Sequence, residues 1–425
     1  MIIPQFTFIC SITVTNNTYF DILERDIYSF IWEGRRDKVK RNTIINKYEK
    51  GGLNMLDIKS YFKMLKIKWV LRLKEATTEN WTVLPKLFLN KFGSNFLIFN
   101  MNLGKQNIKT LKEINEIPAF YLEILNCWLD LTNKETIPTK NYVDIRKEII
   151  WGNKHITYKN KVILLPRWIN SNLIYVNDII DENGNISEKY ILDKLNCKSN
   201  WIAEFSLIKK AIPNEWIKIL QSETSKKTKV NIRCNVVHLD KHIIEMKELT
   251  NKKIYDSLIS HKTEPNIGIE KWKRIFNSEN YVVRKSLEFI HYYIKHNKLK
   301  MFRWKLISNI LPNGQNLFKW KIITTDLCPL CNTIDDYEHF FIKCIWVKKF
   351  WKKIYSTFKT IGFTNKILFK HIVLGYKICE KDYWDFNLIL TIISFSIYKS
   401  FYVSDKRKNN IGIINIFKQE LQFYV

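Results

Sequence analysis

Long stretches rich in Lys, Leu, Ile and Trp, with sparse glycine, give the chain a helical pattern of apolar and polar positions. In "IKSYFKMLKIKWVLRLKE" the residues Tyr61, Leu65, Trp69 and Leu73 recur at four-residue steps and form an apolar stripe. Lys59, Lys63 and Lys66 fall together on another face of that helix. Asp57 stands where an N-cap belongs, and Gly51-Gly52 supplies a turn ahead of it. The most hydrophobic run, "FNLILTIISFSIY" from Phe386 to Tyr398, is too short to span a bilayer and contains Asn387, so it reads as a buried helix with no membrane partner. With 12 Gly and 9 Pro in 425 residues, collagen-like and turn-dense β architectures are disfavoured. The expected fold class is mainly α, a helical multi-domain chain.

Four regions differ in pattern. Residues 1–80 hold a basic loop and the amphipathic helix, and residues 81–215 are aromatic-rich with a turn at "IDENGNI". Residues 216–268 are polar and Lys-rich and read as a linker with a short helix. Residues 269–425 hold Trp-rich helical stretches, a Cys/His cluster and the late apolar helix. His238 and His242 share a helical face at i, i+4, but no acidic third ligand accompanies them, and they read as a surface pair.

Charge sharpens this picture. Lys+Arg total 69 against 41 Asp+Glu, a net charge of +28. Such a field draws polyanions by releasing their counterions, which makes RNA or DNA the leading partner. Codon bias can inflate Lys, but the basic residues also cluster: Arg35, Arg36, Lys38, Lys40 and Arg41 precede the lysine face formed by Lys59, Lys63 and Lys66. Lys298, Lys300, Arg303 and Lys305 form a second group, and Lys343, Lys348, Lys349, Lys352 and Lys353 a third. Trp304, Trp320, Trp346 and Trp351 interleave with them, either as core or as stacking platforms for unpaired bases. "SDKRKNN" at 404–410 reads as a solvated loop.

The N-terminal stretch "MIIPQFTFICSITV" has neither a basic n-region nor a small-residue cleavage site. An intracellular protein is expected, nuclear or cytoplasmic, with "RRDKVKR" at 35–41 serving either as a nuclear signal or as a nucleic-acid grip. Cysteines there are reduced, so a cluster of them points to metal or catalysis. The stretch "LCPLCNTIDDYEHFFIKC" contains such a cluster. Cys328 and Cys331 are separated by two residues, His339 follows after seven more and Cys344 after another four. Three thiolates and one imidazole suit tetrahedral Zn²⁺, and four ligands leave no open position, so the expected zinc is structural. Cys-Pro-Leu-Cys alone also fits a thiol oxidoreductase, but that motif leaves His339 and Cys344 without a role. Cys10, Cys127, Cys197, Cys234 and Cys379 are isolated and read as small apolar residues.

The segment "FRWKLISNILPNGQNLFKWKIITTDLCPLCNTIDDYEHFFIKCIWVKKFW" resembles the reverse-transcriptase zinc-binding domain at the C-terminus of LINE-type non-LTR retrotransposon polyproteins. An aromatic and basic helix, "LP", a second helix, Cys-Pro-x-Cys, Glu-His-x-Phe and a last Cys before a Trp-bearing helix occur in that order. "FIWEG" and "KVKRNTIINKYEKGGLNMLDIKSY" resemble the thumb exit of the same polyproteins, and Ile149–Gly184 their helical connector. The resemblance implies a Cys₃His zinc-stapled C-terminal domain at 269–425, a thumb-like segment at 1–80 and a connector at 81–215. It also implies contact with element RNA or target DNA.

The Tyr-x-Asp-Asp pair that holds Mg²⁺ in a polymerase palm has no counterpart here, because Asp335-Asp336 lies between zinc ligands and reads as a polar loop capping the helix of His339. The endonuclease of such elements is missing too. The expectation is therefore a non-catalytic fragment, truncated or decayed. Three alternatives stay open: a zinc-stapled protein-interaction scaffold, a part acting in trans with a palm-containing reverse-transcriptase chain, and a decayed element product with no selected function.

Overall fold

The computed structural model describes residues 3–76, 78–94, 96–104, 116–132, 141–195, 201–222, 236–239, 242–403 and 411–424. Helices dominate, as the periodicity predicts. Strands among the described residues are confined to two antiparallel hairpins, Thr157–Tyr158 with Lys161–Val162 and Val236–Leu239 with His242–Glu245. The chain divides into two compact units, one combining Met1–Arg25 with Asp57–His261 and the other combining Asp26–Leu56 with Lys262–Val425. These boundaries are not those of the four regions drawn from the sequence, since both units are discontinuous.

In the first unit the central helix is Ile58–Glu75, capped by Asp57, whose side chain accepts the Ser60 N–H at 3.1 Å. Helices Ile3–Ile12, Ala119–Thr132 and Asn251–Ile259 pack around it. Of the four stripe positions Leu73 is fully buried, while Tyr61, Leu65 and Trp69 are partly buried against the core. Met64, Ile67 and Val70 are buried in their place, because helices cover more of this element than one face. The stretch expected as a linker is structured where described. Met246, Leu249 and Ile254 enter the core, and each such burial stabilises by about 1.5–3 kcal/mol. His238 and His242 lie on paired strands, opposite Ile243 and Leu239, and not on one helix. The turn at "IDENGNI" is present: Ile180 pairs with Ile186, and Gly184 takes a φ of +78°. A Cβ there would meet the Leu220 carbonyl at 2.4 Å.

The second unit owes its discontinuity to a turn. Gly51 takes a φ of +79°, and a Cβ on it would lie 2.2 Å from Ile269 Cδ1. Its carbonyl accepts the Asn266 side-chain amide at 2.9 Å and the Trp304 indole N–H at 3.1 Å. Both donors sit more than two hundred residues downstream. The apolar run forms the helix Trp384–Val403, with Ile392, Ile393 and Ile397 buried. Asn387 is tolerated inside because its amide donates to the Tyr376 and Tyr383 carbonyls, both at 2.8 Å, and its oxygen accepts the Tyr376 N–H at 2.7 Å. No helix among the described residues is long and apolar enough to cross a membrane.

Cys10 and Cys127 are buried as expected, whereas Cys379 is exposed in the turn before this helix. Cys197, Cys234 and the loop at 404–410 lie outside the described residues.

His291 is buried and stacked on Tyr48 with ring centroids 4.1 Å apart. Burial, aided by the charge on Lys300, pushes its pKa down to about 4. The unfolded chain binds this proton below about pH 6.5 and the folded chain only near 4, so the stabilisation is complete above pH 6.5 and is lost as pH falls toward 4. The gap corresponds to about 3 kcal/mol. His291→Phe, which keeps the stacked ring, should remove that much of the acid destabilisation when unfolding free energies are compared at pH 7 and pH 4. Parallel pH profiles for the two proteins would contradict the assignment.

Candidate metal centre

Residues 327–334 fold back on themselves. Leu327 and Ile334 pair as an antiparallel bridge, the Cys328 N–H donates to the Thr333 carbonyl and the Asn332 N–H to the Cys328 carbonyl, both at 2.8 Å. Asn332 turns the chain with a φ of +52°, a conformation that Asn tolerates better than most residues. The knuckle presents Cys328 and Cys331 together.

His339 opens a π-helix, His339–Lys343, and the Cys344 N–H closes it on the His339 carbonyl at 2.8 Å. Residues five apart on an α-helix point about 140° away from each other. The wider turn brings His339 and Cys344 to the same side, as single π-turns often do at functional sites.

The ligand atoms of Cys328, Cys331, His339 and Cys344 all lie within 4.8 Å of one another. Cys331 Sγ and Cys344 Sγ are 3.8 Å apart, close to the edge of a tetrahedron with zinc–thiolate bonds of about 2.3 Å. His339 Nδ1 is 2.9 Å from Asp335 Oδ1, so that nitrogen carries the proton. Nε2 is then buried with no hydrogen-bond partner, an expensive state for an imidazole unless a cation faces it. The donor set, the spacing and this orphaned nitrogen fit Zn²⁺. When bound, zinc would cross-link the knuckle to the π-turn.

Burial pushes the Cys344 thiol up to about 12. Burial also acts upward on Cys331, but the Ile345 N–H, His339 and the two other thiols outweigh it and hold Cys331 below the ordinary thiol range. A dication at the centre would draw every thiol to the thiolate that ligates metal. The space beside the ligands is about 10 Å³, too small for a substrate. A closed set of four ligands of this kind suits a metal that cross-links the fold.

Residues 252–351 match the family described as zinc-binding in reverse transcriptase. This segment is a reverse-transcriptase-type zinc-binding domain. No curated protein matches the chain.

The domain holds its histidine through a carboxylate that the sequence showed only as part of a capping loop. Asp336 does cap, accepting the His339 N–H at 2.8 Å. Asp335 does more. Its Oδ2 accepts the Gly314 N–H at 2.9 Å, and its carbonyl accepts the Asn313 side-chain amide at 2.8 Å. A Cβ on Gly314 would lie 2.6 Å from Asp335 Cβ, so a larger residue there would force the carboxylate away. Asp335→Asn should weaken zinc binding about 10- to 100-fold, read by chelator competition, with helicity of the loaded protein retained. Unchanged zinc affinity would contradict this positioning role. The Asp335–His339 spacing of four residues was the available signal, but Gly314 and Asn313 come from another element.

The predicted nucleic-acid contacts separate into several groups. Arg35 and Arg36 are exposed with no acidic partner among the described residues, and Lys38 Nζ sits 4.0 Å from the Trp320 ring centre. Lys40 pairs with Glu264 at 2.6 Å and Arg41 with Asp37 at 2.9 Å. Lys59 pairs with Asp21 and Lys63 with Asp130. Exposed pairs of this kind contribute only about 0–1 kcal/mol, so a phosphate can displace them.

Two predicted contacts are corrected. Lys66 is 1% exposed, paired with Glu123 at 3.0 Å and bonded to the Thr13 carbonyl. Arg303 is 3% exposed and donates to the Ile372 and Val373 carbonyls at the end of helix Phe369–Leu374. Neither can reach a phosphate, because each is already spent on a buried acceptor.

Lys298 is exposed, and Lys300 and Lys305 are half-buried. Lys348, Lys349, Lys352 and Lys353 are exposed on helix Ile345–Thr360, and no acid pairs with them among the described residues. Trp304, Trp346 and Trp351 are core residues, and Trp320 alone of that set is partly exposed.

Proposed function

We propose that the chain is a non-catalytic, nucleic-acid-binding fragment of a LINE-type non-LTR retrotransposon polyprotein, derived from its C-terminal part. The supporting observation is the unpaired lysine face. Cys344 is both the last ligand and the N-cap of helix Ile345–Thr360, and the Ile345 N–H donates to Cys331 Sγ at 3.5 Å. Zinc would thereby fix the helix that carries Lys348, Lys349, Lys352 and Lys353. Its opposite face is anchored by Val347, Phe350, Trp351 and Ile354 in the core. Four cations in two successive turns, held rigidly and without acidic partners, suit a phosphate backbone contacted without reading sequence.

The partners are RNA or DNA, with a palm-containing reverse-transcriptase chain as a further partner, and the setting is nuclear or cytoplasmic. The family match and the lack of paired palm aspartates favour binding over polymerisation. Binding of the zinc-loaded chain to RNA and DNA across a salt series tests the reading: affinity should fall steeply as salt rises. Absence of salt-dependent binding would leave the protein-scaffold reading in its place.

A further inference from the structure

Lys38 stands 290 residues before Cys328, the first of the zinc ligands, yet its ammonium lies over Trp320, within the matched zinc-binding segment. The basic loop and the zinc domain thus share one surface of the second unit. We propose that Arg35, Arg36 and Lys38, with Trp320, Phe318 and Ile322, form a binding site for an unpaired strand of nucleic acid.

The cations there outnumber the acids that act on them. Burial and then the charges of Arg35 and Arg36 lower the pKa of Lys38, while Lys271 is lowered by burial and then by Lys319. Of the nearby acids, Asp37 is taken by Arg41, and Asp336 offsets only part of the positive charge around Lys271. The stretch Phe318–Thr325 contains three aromatic or basic neighbours of Trp320 and no carboxylate. A polyanion would relieve this crowding.

The same surface exposes apolar side chains. Phe318 is 46% exposed, Ile322 59% and Ile323 36%, and Trp320 is partly so. Water-facing apolar groups set among cations suit a ligand that is anionic along one edge and flat and apolar along another. Unpaired bases on their phosphate backbone have that character, and stacking on an aromatic platform tolerates any base. A duplex keeps its base faces inside the stack, so it would use the lysine face alone. An acidic protein would satisfy the cations but would not favour Trp320 in this sequence-tolerant way.

This inference rests on the nucleic-acid reading, and the experiment separates the two. The zinc-loaded full chain is titrated with a labelled uridine 20-mer and with a duplex of equal length, using the parent, Trp320→Leu, an Arg35→Gln/Arg36→Gln variant, and a variant with glutamine at Lys348, Lys349, Lys352 and Lys353. Trp320→Leu should lose about tenfold in affinity for the single strand and less than about twofold for the duplex, the worth of one stacked base. Arg35→Gln/Arg36→Gln should weaken the single strand in the same selective way. Both arginines are exposed, so this variant keeps the test valid if Trp320→Leu misfolds. The lysine variant should weaken both ligands. If it does while the other two bind single strand like the parent, the site is refuted and the nucleic-acid reading survives. A parent that binds neither ligand overturns both. Polyglutamate displacing the strand as effectively as poly-uridine would assign the surface to acidic proteins and overturn the site.

Discussion

Cys328→Ser should abolish zinc retention and unfold the knuckle together with the N-terminal turns of helix Ile345–Thr360. A serine hydroxyl does not ionise to replace a thiolate, and the remaining three ligands cannot close a tetrahedron. Structural zinc contributes an apparent 10–16 kcal/mol in small zinc-finger peptides at neutral pH. Here Phe340, Phe341, Trp346 and Trp351 also pack around the site, so part of the fold has support besides metal. The predicted result is intermediate between those of a zinc finger and an ordinary core variant. Helicity should fall, hydrogen exchange should accelerate across 327–351, and the first unit, which contains none of the ligands, should keep its protection. Chelation of the parent should reproduce the pattern, and adding chelator to Cys328→Ser should change nothing more. Full retention of protection across 327–351 in the variant would remove zinc from the account of this fold.

Neutralising Lys348, Lys349, Lys352 and Lys353 to glutamine should have the second large effect. Each lysine that neutralises a phosphate contributes about 0.7 to the slope of log affinity against log salt for a single strand. Losing four such contacts should flatten the slope by about 3 and lower affinity at low salt about a hundredfold or more. Lys40→Gln, at a cation already paired with Glu264, should flatten it by less than about 1. Circular dichroism should stay as in the parent, because the four side chains are exposed. An unchanged slope would mean that this face does not touch the backbone.

The four candidate ligands were legible in the sequence because residue type and short spacing are local properties. Two residues set the bite of Cys328 and Cys331, whereas the π-turn that brings His339 and Cys344 to one side, five residues apart, became visible only in the fold. The mainly helical class was legible for a similar reason, since period and sparse glycine are local properties. What depended on distant partners was not. Lys59, Lys63 and Lys66 look alike along the helix, yet Lys66 is enclosed by Thr13 and Glu123, each more than fifty residues away. Arg303 reads as a surface cation until the carbonyls of Ile372 and Val373 come to it. The stretch at 216–268 looked like a linker because its buried residues, Met246, Leu249 and Ile254 among them, are sparse among polar residues and lysines. Gly51 gave away a turn but not its partners, Asn266 and Trp304, which tie residues 26–56 to the second unit. Sequence shows which groups carry charge. Only the fold shows which of them are still free.

The most direct test of the central claim is X-ray absorption at the zinc edge of the purified, metal-loaded chain. About one zinc per chain is expected, with three sulfur neighbours near 2.3 Å and one nitrogen near 2.0 Å. A shell of oxygen neighbours, or a well-folded chain that retains no zinc, would contradict it.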